Sequence, residues 1–221
     1  MLTSELLRAA PHGFTGIANG DFRAAGALER GQAVVAALGG SGPLHTVRQV
    51  HGTNIVLAPG PFDEAVGADA IVSTVPGAAV AVRVADCVPV LLFSPGGVAA
   101  VHAGWRGTAA DIVRKAMQVL LTETGVPFAS VRAAIGPCIR GCCYEVGDDV
   151  IAAVGMVAPG RKWVVGRHVD LAQANAAILA SLGVPFEVVG GCTRCDDRFW
   201  SHRRDGDAAG RQIGVIAMPL A

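Results

Sequence analysis

Two histidines and one cysteine stand beside glycines at the ends of apolar runs. They are His51 in Gln49-Val50-His51-Gly52, Cys87 in Ala85-Asp86-Cys87, and His102 in Val101-His102-Ala103-Gly104-Trp105-Arg106-Gly107. Imidazole nitrogen and thiolate sulfur are ligands that zinc prefers, and three of them leave one tetrahedral position open for chemistry. Any one of these residues alone is more simply read as an ordinary core or surface side chain. It is the joint pattern that suggests a metal site. The three lie too far apart in the chain for a compact finger, so the fold itself must assemble them.

The elements that would do so are legible. Leu44–Val50 and Asn54–Ala58 read as strands around a His51-Gly52-Thr53 turn, and Ala68–Val75, Ala78–Val84, Pro89–Phe93 and Gly97–His102 read as further strands rich in Val and Ala. From Thr108 to Thr124 the period changes: Ile112, Val113, Ala116, Met117, Leu120 and Leu121 fall at helical spacing, Gly125 ends the run, and Thr108 with Asp111 resembles a capping box. Asp170 with Gln173 opens another helix that reaches Gly183, a shorter one covers Asp148–Val154, and Val131–Ile135, Phe186–Val189 and Gln212–Met218 complete the strands. Each proposed ligand falls at or just past a strand end. The expected fold is α/β, a single domain over residues 1–221.

Composition narrows the partners. The 221 residues are 52% hydrophobic and 16% charged, with 18 basic side chains balancing 18 acidic ones. A nucleic-acid binder needs clustered Lys and Arg, so a small molecule is the expected partner. The apolar stretch from Ala78 to Ala103 is broken by Arg83, Asp86, Pro89 and Pro95, which excludes a membrane span there. The N-terminal residues lack a basic region followed by an apolar core, so a cytoplasmic location is expected. In that compartment the six cysteines favour metal binding or free thiols over disulfides.

Beyond the three ligand motifs, the chain carries Ile135-Gly136-Pro137 leading to Cys143-Tyr144-Glu145-Val146-Gly147, and Cys192-Thr193-Arg194-Cys195 leading to Ser201-His202-Arg203-Arg204. In this order, and over most of the chain from about Leu44 onward, the motifs resemble the YfiH/YlmD family. Its members were long labelled laccase-domain or polyphenol oxidase proteins and are now understood as zinc-containing purine nucleoside phosphorylases. The resemblance implies cleavage of adenosine and inosine with phosphate, extending to methylthioadenosine and to deamination of adenosine. It places the family's zinc ligands, which are also its catalytic residues, on His51, Cys87 and His102.

Phosphorolysis needs an anion brought to the sugar C1′ and help for a departing purine. Arg48, Arg106 and the Arg203-Arg204 pair are candidates for phosphate, and Tyr144 for the base. The glycine-rich turn after His102 and the helix opened by Thr108 would add unpaired backbone N–H groups beside Arg106; the simpler reading is a tight strand-to-helix turn with a surface arginine. Asp86, next to Cys87, is either an acid or a group that orients a ligand. Deamination would need an activated water, yet the His-x-Glu and Pro-Cys-x-x-Cys spacings of other zinc deaminases are missing.

Cys138, Cys142, Cys192 and Cys195 offer four thiols for a structural zinc, but the resemblance puts Cys143 and Cys192 in motifs that do not bind metal, so reduced thiols are the default. Copper is the older alternative: Cu2+ at the His/Cys/His group would give weak oxidase activity, whereas six scattered histidines cannot furnish a multicopper cluster. A non-catalytic metal-binding protein is the remaining alternative. The N-terminal third departs from the family: His12-Gly13-Phe14-Thr15 continues into Gly16-Ile17 without the usual arginine, leaving Arg23 or Arg48 to substitute, and His202 stands where Tyr is usual.

Overall fold

The apolar runs of the middle of the chain become central strands because both of their faces have something to bury. The computed structural model describes residues 1–58 and 67–220. In chain order the elements are β1 (His12–Phe14), α1 (Ala27–Ala37), β2 (Leu44–His45), β3 (Ile55–Ala58), β4 (Ala70–Ser73), β5 (Ala79–Val84), β6 (Val88–Ser94), β7 (Gly97–Ala103) and α2 (Trp105–Ala109). There follow α3 (Ile112–Thr124), β8 (Arg132–Ile135), α4 (Asp148–Gly155), β9 (Val164–Val165), β10 (His168–Val169), α5 (Leu171–Ser181), β11 (Phe186–Val188), α6 (His202–Asp205) and β12 (Gln212–Ala217).

Six strands form a mixed sheet in the order β11-β8-β6-β7-β4-β3, four form a second sheet in the order β1-β12-β5-β2, and β9 with β10 makes a small hairpin. Successive strand residues point to opposite faces, and the burial follows that alternation. Val90, Leu92, Ala99 and Val101 pack beneath Ile112, Met117, Leu120, Leu171 and Ile178 of α3 and α5. The other face, with Leu91, Val98 and Ala100, meets Val80, Val82 and Ile216 of the second sheet. Ala79, Ala81, Ile213 and Val215 then pack outward against Val34 and Val35 of α1. The layers run helices, sheet, sheet, helix: the α/β class is the one the pattern predicts, and the single-domain layered sandwich of central mixed sheets with helices outside is the one the family resemblance implies.

Several boundaries differ from expectation for identifiable reasons. The strand expected over Leu44–Val50 stops at His45. Beyond it the side chain of Gln49 takes over the ladder, its Oε1 accepting from the Arg83 N–H at 2.8 Å and its Nε2 donating to the Arg83 carbonyl at 2.7 Å. That exchange lets the backbone leave the sheet in time to present His51. The helix expected from Thr108 is two helices, because Asp111 sits in the left-handed region at φ 60° and interrupts the run. Thr108 is inside α2 rather than capping it, and its hydroxyl accepts from the buried Asn175 amide at 3.0 Å. The Asp170 cap is as expected, its Oδ1 accepting from the Gln173 N–H at 3.0 Å. β1, α1 and the β9–β10 hairpin fall in segments without a clear period in the sequence.

Candidate metal centre

Register brings the three ligands together. β6 and β7 are antiparallel with Val88 opposite Ala103 and Pro89 opposite His102, so the residue entering β6, Cys87, lies beside the residue leaving β7, Gly104. His102 has the parity of Val98 and Ala100 and therefore faces the second sheet. His51 arrives from the loop between β2 and β3 in the left-handed region at φ 59°. The His51 and His102 rings stand edge to face with centroids 4.9 Å apart. One ligand atom from each of His51, Cys87 and His102 falls within 4.8 Å of the other two.

The residue that organises this cluster is one the motifs did not single out. Asp69, fully buried just before β4, accepts from the backbone N–H groups of Val50 at 3.2 Å, His51 at 2.9 Å and Gly52 at 2.7 Å. Its Oδ1 also lies 2.8 Å from His102 Nδ1. Burial opposes the charge, but the His102 hydrogen bond and the backbone donors hold the carboxyl below its ordinary value. Holding Nδ1 as a donor leaves His102 Nε2 for the shared centre, the arrangement that orients histidine ligands in metalloproteins. A lone acid at the head of the apolar run Ala70-Ile71-Val72 was the available signal.

Burial works against charge on both Cys87 and His102, yet their mutual attraction prevails. The Cys87 thiol comes down to about 6 and the His102 imidazole rises to about 9, with Asp69 assisting. A thiolate and two imidazoles match zinc in donor type, and Gly104 provides the room. A Cβ there would lie 3.3 Å from Cys87 Sγ and 3.4 Å from His51 Cδ2. Gly104 has φ −66°, which any residue adopts, so Gly104→Ala should fold normally yet lose about tenfold in zinc affinity. Competition with a chromophoric chelator, beside a thermal melt, checks both halves of that expectation.

The cluster opens into a cavity of about 530 Å³ whose wall is rich in arginine: Arg23, Arg48, Arg83, Arg203 and Arg211, with Asp86 as the lining carboxylate. Arg203 lies with its guanidinium carbon 5.2 Å from the Tyr144 ring centre, and Tyr144 also lines the wall. Burial, with the Cys87 charge nearby, pushes the Tyr144 phenol up to about 12. Arg23 and Arg48, the two residues expected to replace the missing N-terminal arginine, both border the cavity. Arg83 and Arg211 border it too and carry no motif in the sequence.

Four expectations change. Arg106 is exposed at the start of α2, its guanidinium 4.3 Å above its neighbour's Trp105 ring, and is not among the lining residues. The turn-to-helix anion site is weakened as well, since α2 is only five residues long. Arg204 points away to brace the chain, donating to the carbonyls of Thr193 at 3.0 Å and Phe199 at 2.8 Å. Asp86 spends both oxygens on structure, accepting from Thr193 Oγ1 and from the Arg203 N–H, each at 2.6 Å. It sits in the left-handed region at φ 84°, a strain that fixes the turn into Cys87. His202 lines the rim, with its Nδ1 2.9 Å from the Gly206 carbonyl.

A second thiol group lies apart from this one. Cys142, Cys143, Cys192 and Cys195 converge within 4.8 Å. Cys138, expected among them, is instead buried elsewhere in the core, and burial raises its thiol far above the ordinary value; Cys143 takes its place.

The fold and cavity define an α/β protein with a candidate two-histidine, one-cysteine metal site in the wall of a basic cleft. Residues 15–219 match the family model described as multi-copper polyphenol oxidoreductase laccase, and the chain belongs to that family, the one in which YfiH and YlmD are found. It is 39% identical over 180 residues to a purine nucleoside phosphorylase of Deinococcus radiodurans, covering 78% of this chain and 69% of that one. It is 37% identical over 163 residues to adenosine deaminase RL5 of an unknown prokaryotic organism, covering 68% and 62% respectively. The match also spans 60% of the purine nucleoside phosphorylase YlmD of Geobacillus stearothermophilus. The crystal structure of that YlmD superposes with a TM-score of 0.76 at 29% identity, covering 95% of this chain and 90% of that one.

Proposed function

We propose that the protein is a zinc-dependent purine nucleoside phosphorylase that cleaves adenosine and inosine with phosphate. The observation that carries the reading is the arginine-lined cavity ending on His51, Cys87 and His102. The names of the relatives support it. Five arginines facing one carboxylate concentrate anions in the cleft, which suits phosphate better than a neutral co-substrate. His51, Cys87 and His102 would hold the zinc, which supplies Lewis acidity when bound.

The reaction forms a bond from a phosphate oxygen to C1′ and breaks the glycosidic bond, whose electron pair passes to a purine that takes up a proton. Arg48, Arg23 and Arg203 hold and align the phosphate, using charge-assisted hydrogen bonds that a flexible water shell cannot reproduce. Tyr144, with its phenol raised to about 12, keeps its proton at neutral pH and donates a hydrogen bond to a purine ring nitrogen. Its ring is held beneath Arg203, which links the base and phosphate subsites. Cytoplasmic reduction would keep the Cys87 sulfur free to bind metal.

Methylthioadenosine and deamination of adenosine belong to the same reading, the latter supported by the relative named adenosine deaminase. The copper alternative has less behind it. His51 and His102 are the two histidines that share a candidate metal group, while His12 is buried and bonded to the Ser4 N–H and His168 lies on β10, which leaves too few histidines together for a multinuclear centre.

The test is release of free base from adenosine, inosine and methylthioadenosine by zinc-loaded protein, with and without phosphate. Phosphate-dependent release with formation of pentose 1-phosphate is expected; inosine appearing from adenosine would add the deaminase, and no product from any nucleoside would overturn the reading. Arg48→Ala should raise the phosphate KM about tenfold with a smaller change in kcat, the loss of one hydrogen bond to a charged group. Initial rates across a phosphate series would check that split.

A further inference from the structure

The four thiols of Cys142, Cys143, Cys192 and Cys195 form a cluster that the proposed reaction does not use. We propose that they bind a second zinc ion as a tetrathiolate, which clips together the two walls of the cavity. Cys143 Sγ lies 3.3 Å and Cys142 Sγ 3.8 Å from Cys195 Sγ, and all four sulfurs fall within 4.8 Å of one another. Four sulfurs at zinc-bond length on a tetrahedron stand about 3.8 Å apart, so the group is already near the required spacing. A disulfide would need a pair at about 2 Å and would leave the other two sulfurs without a role.

The backbone around the group is that of a metal knuckle. Cys192-Thr193-Arg194-Cys195 closes a tight turn in which the Cys195 and Asp196 N–H groups donate to the Cys192 carbonyl at 3.1 and 3.0 Å. Both ends of a Cys-x-x-Cys turn thus face one point. The Arg140 N–H donates to Cys192 Sγ at 3.4 Å, the kind of backbone contact that stabilises sulfur carrying negative charge. Cys142 and Cys143 come from the turn that follows Arg140, where the Cys143 N–H donates to the Arg140 carbonyl at 2.9 Å. Cys192 is buried while Cys142 and Cys195 are exposed, so an ion has a path in.

What the clip joins gives it a purpose. Cys143 is followed by Tyr144 of the cavity wall, and Cys192 by Thr193, whose hydroxyl holds Asp86 beside Cys87. The two segments are joined by the short bridge of Cys138 with Cys192 and by the Arg140 N–H to Cys192 Sγ, and no strand pairing longer than that bridge ties them among the described residues. Binding exchanges thiol protons for the metal with no change of oxidation state.

Metal analysis of protein purified with a thiol reductant tests the proposal. About two zinc ions per chain are expected, with about one retained in Cys87→Ala and about one in the double variant Cys142→Ser/Cys195→Ser. If that double variant fails to fold, cobalt loading of Cys87→Ala should still show the intense sulfur-to-metal charge-transfer absorption of a tetrathiolate. The proposal is overturned if Cys87→Ala holds neither zinc nor that cobalt spectrum. It is equally overturned if alkylation of the isolated chain under denaturing, chelating conditions recovers these four cysteines as disulfides. Because Cys87→Ala removes only the first centre, failure of the catalytic reading and failure of the second site give different metal counts.

Discussion

On the proposed function, replacing Cys87 by alanine is expected to abolish phosphate-dependent base release and to remove the metal held with His51 and His102. Cys87 is the one thiolate among the three ligand groups, and its thiol already sits at about 6 because His102 attracts the negative charge. Removing it leaves two imidazoles, of which His102 would lose a partner that raises its proton affinity to about 9. Changes in residues that only orient metal ligands cost about 10–100-fold in affinity or activity, so loss of a ligand should exceed roughly 100-fold. The fold should survive, since the Cys87 side chain borders the cavity rather than filling the core between the sheets. Turnover of inosine with phosphate and metal content per chain, measured on the same preparation, check the expectation. Wild-type turnover in a metal-depleted variant would separate catalysis from the cluster.

Asp69→Asn is the second large effect. The carboxylate accepts from three successive backbone N–H groups of the His51 loop and from His102 Nδ1, all at or below 3.2 Å. An asparagine keeps the shape but turns one acceptor oxygen into a donor. In one orientation its NH2 faces the Val50 and Gly52 N–H groups and in the other the His51 N–H together with the imidazole, leaving at least one buried donor unpaired at about 1–3 kcal/mol. The His51 loop loosens and His102 loses the carboxylate that fixes its tautomer, so zinc affinity should fall about 10–100-fold together with a drop in thermal stability. Asp69 touches no substrate, and its effect is therefore that of a positioning residue. Excess zinc should recover much of kcat in Asp69→Asn and none in Cys87→Ala. Equal failure to respond in the two would mean that Asp69 acts on something other than the ligands.

The two variants together separate what binds the metal from what aims the ligands, and the second is where the sequence was least informative. His51, Cys87 and His102 were legible because their residue types are rare and each closes an apolar run. Asp69 also stands in such a run, but a single buried carboxylate in a sequence carries no indication of the four donors that fold around it. The arginines behaved similarly. Arg48 and Arg203 came from motifs and border the cavity, whereas Arg83 and Arg211 came from strand and loop positions that no short pattern marks. Arg106 stood in the most conspicuous motif and is stacked on Trp105 at the surface.

The strands and the Asp170-capped helix were fixed locally, because the two-residue and 3.6-residue periods are properties of neighbouring residues. The break at Asp111 was not, since a helical pattern on either side conceals a single residue in the left-handed region. Nor was the short reach of β2, where the Gln49 side chain substitutes for a backbone ladder across a long separation in the chain. The identity of the chemical groups and the α/β class were thus set by sequence, whereas of the three ligands expected at strand ends only Cys87 and His102 stand at one, His51 lying in the loop between β2 and β3. Which groups share a site was set by the pairing of β6 with β7 and the stacking of the two sheets, which bring distant positions within 4.8 Å of one another. The same reason explains the exchange of Cys143 for Cys138 in the thiol cluster: the spacing of cysteines in a chain does not say which sulfur packs into the core, as that of Cys138 does, and which joins the other three, as that of Cys143 does.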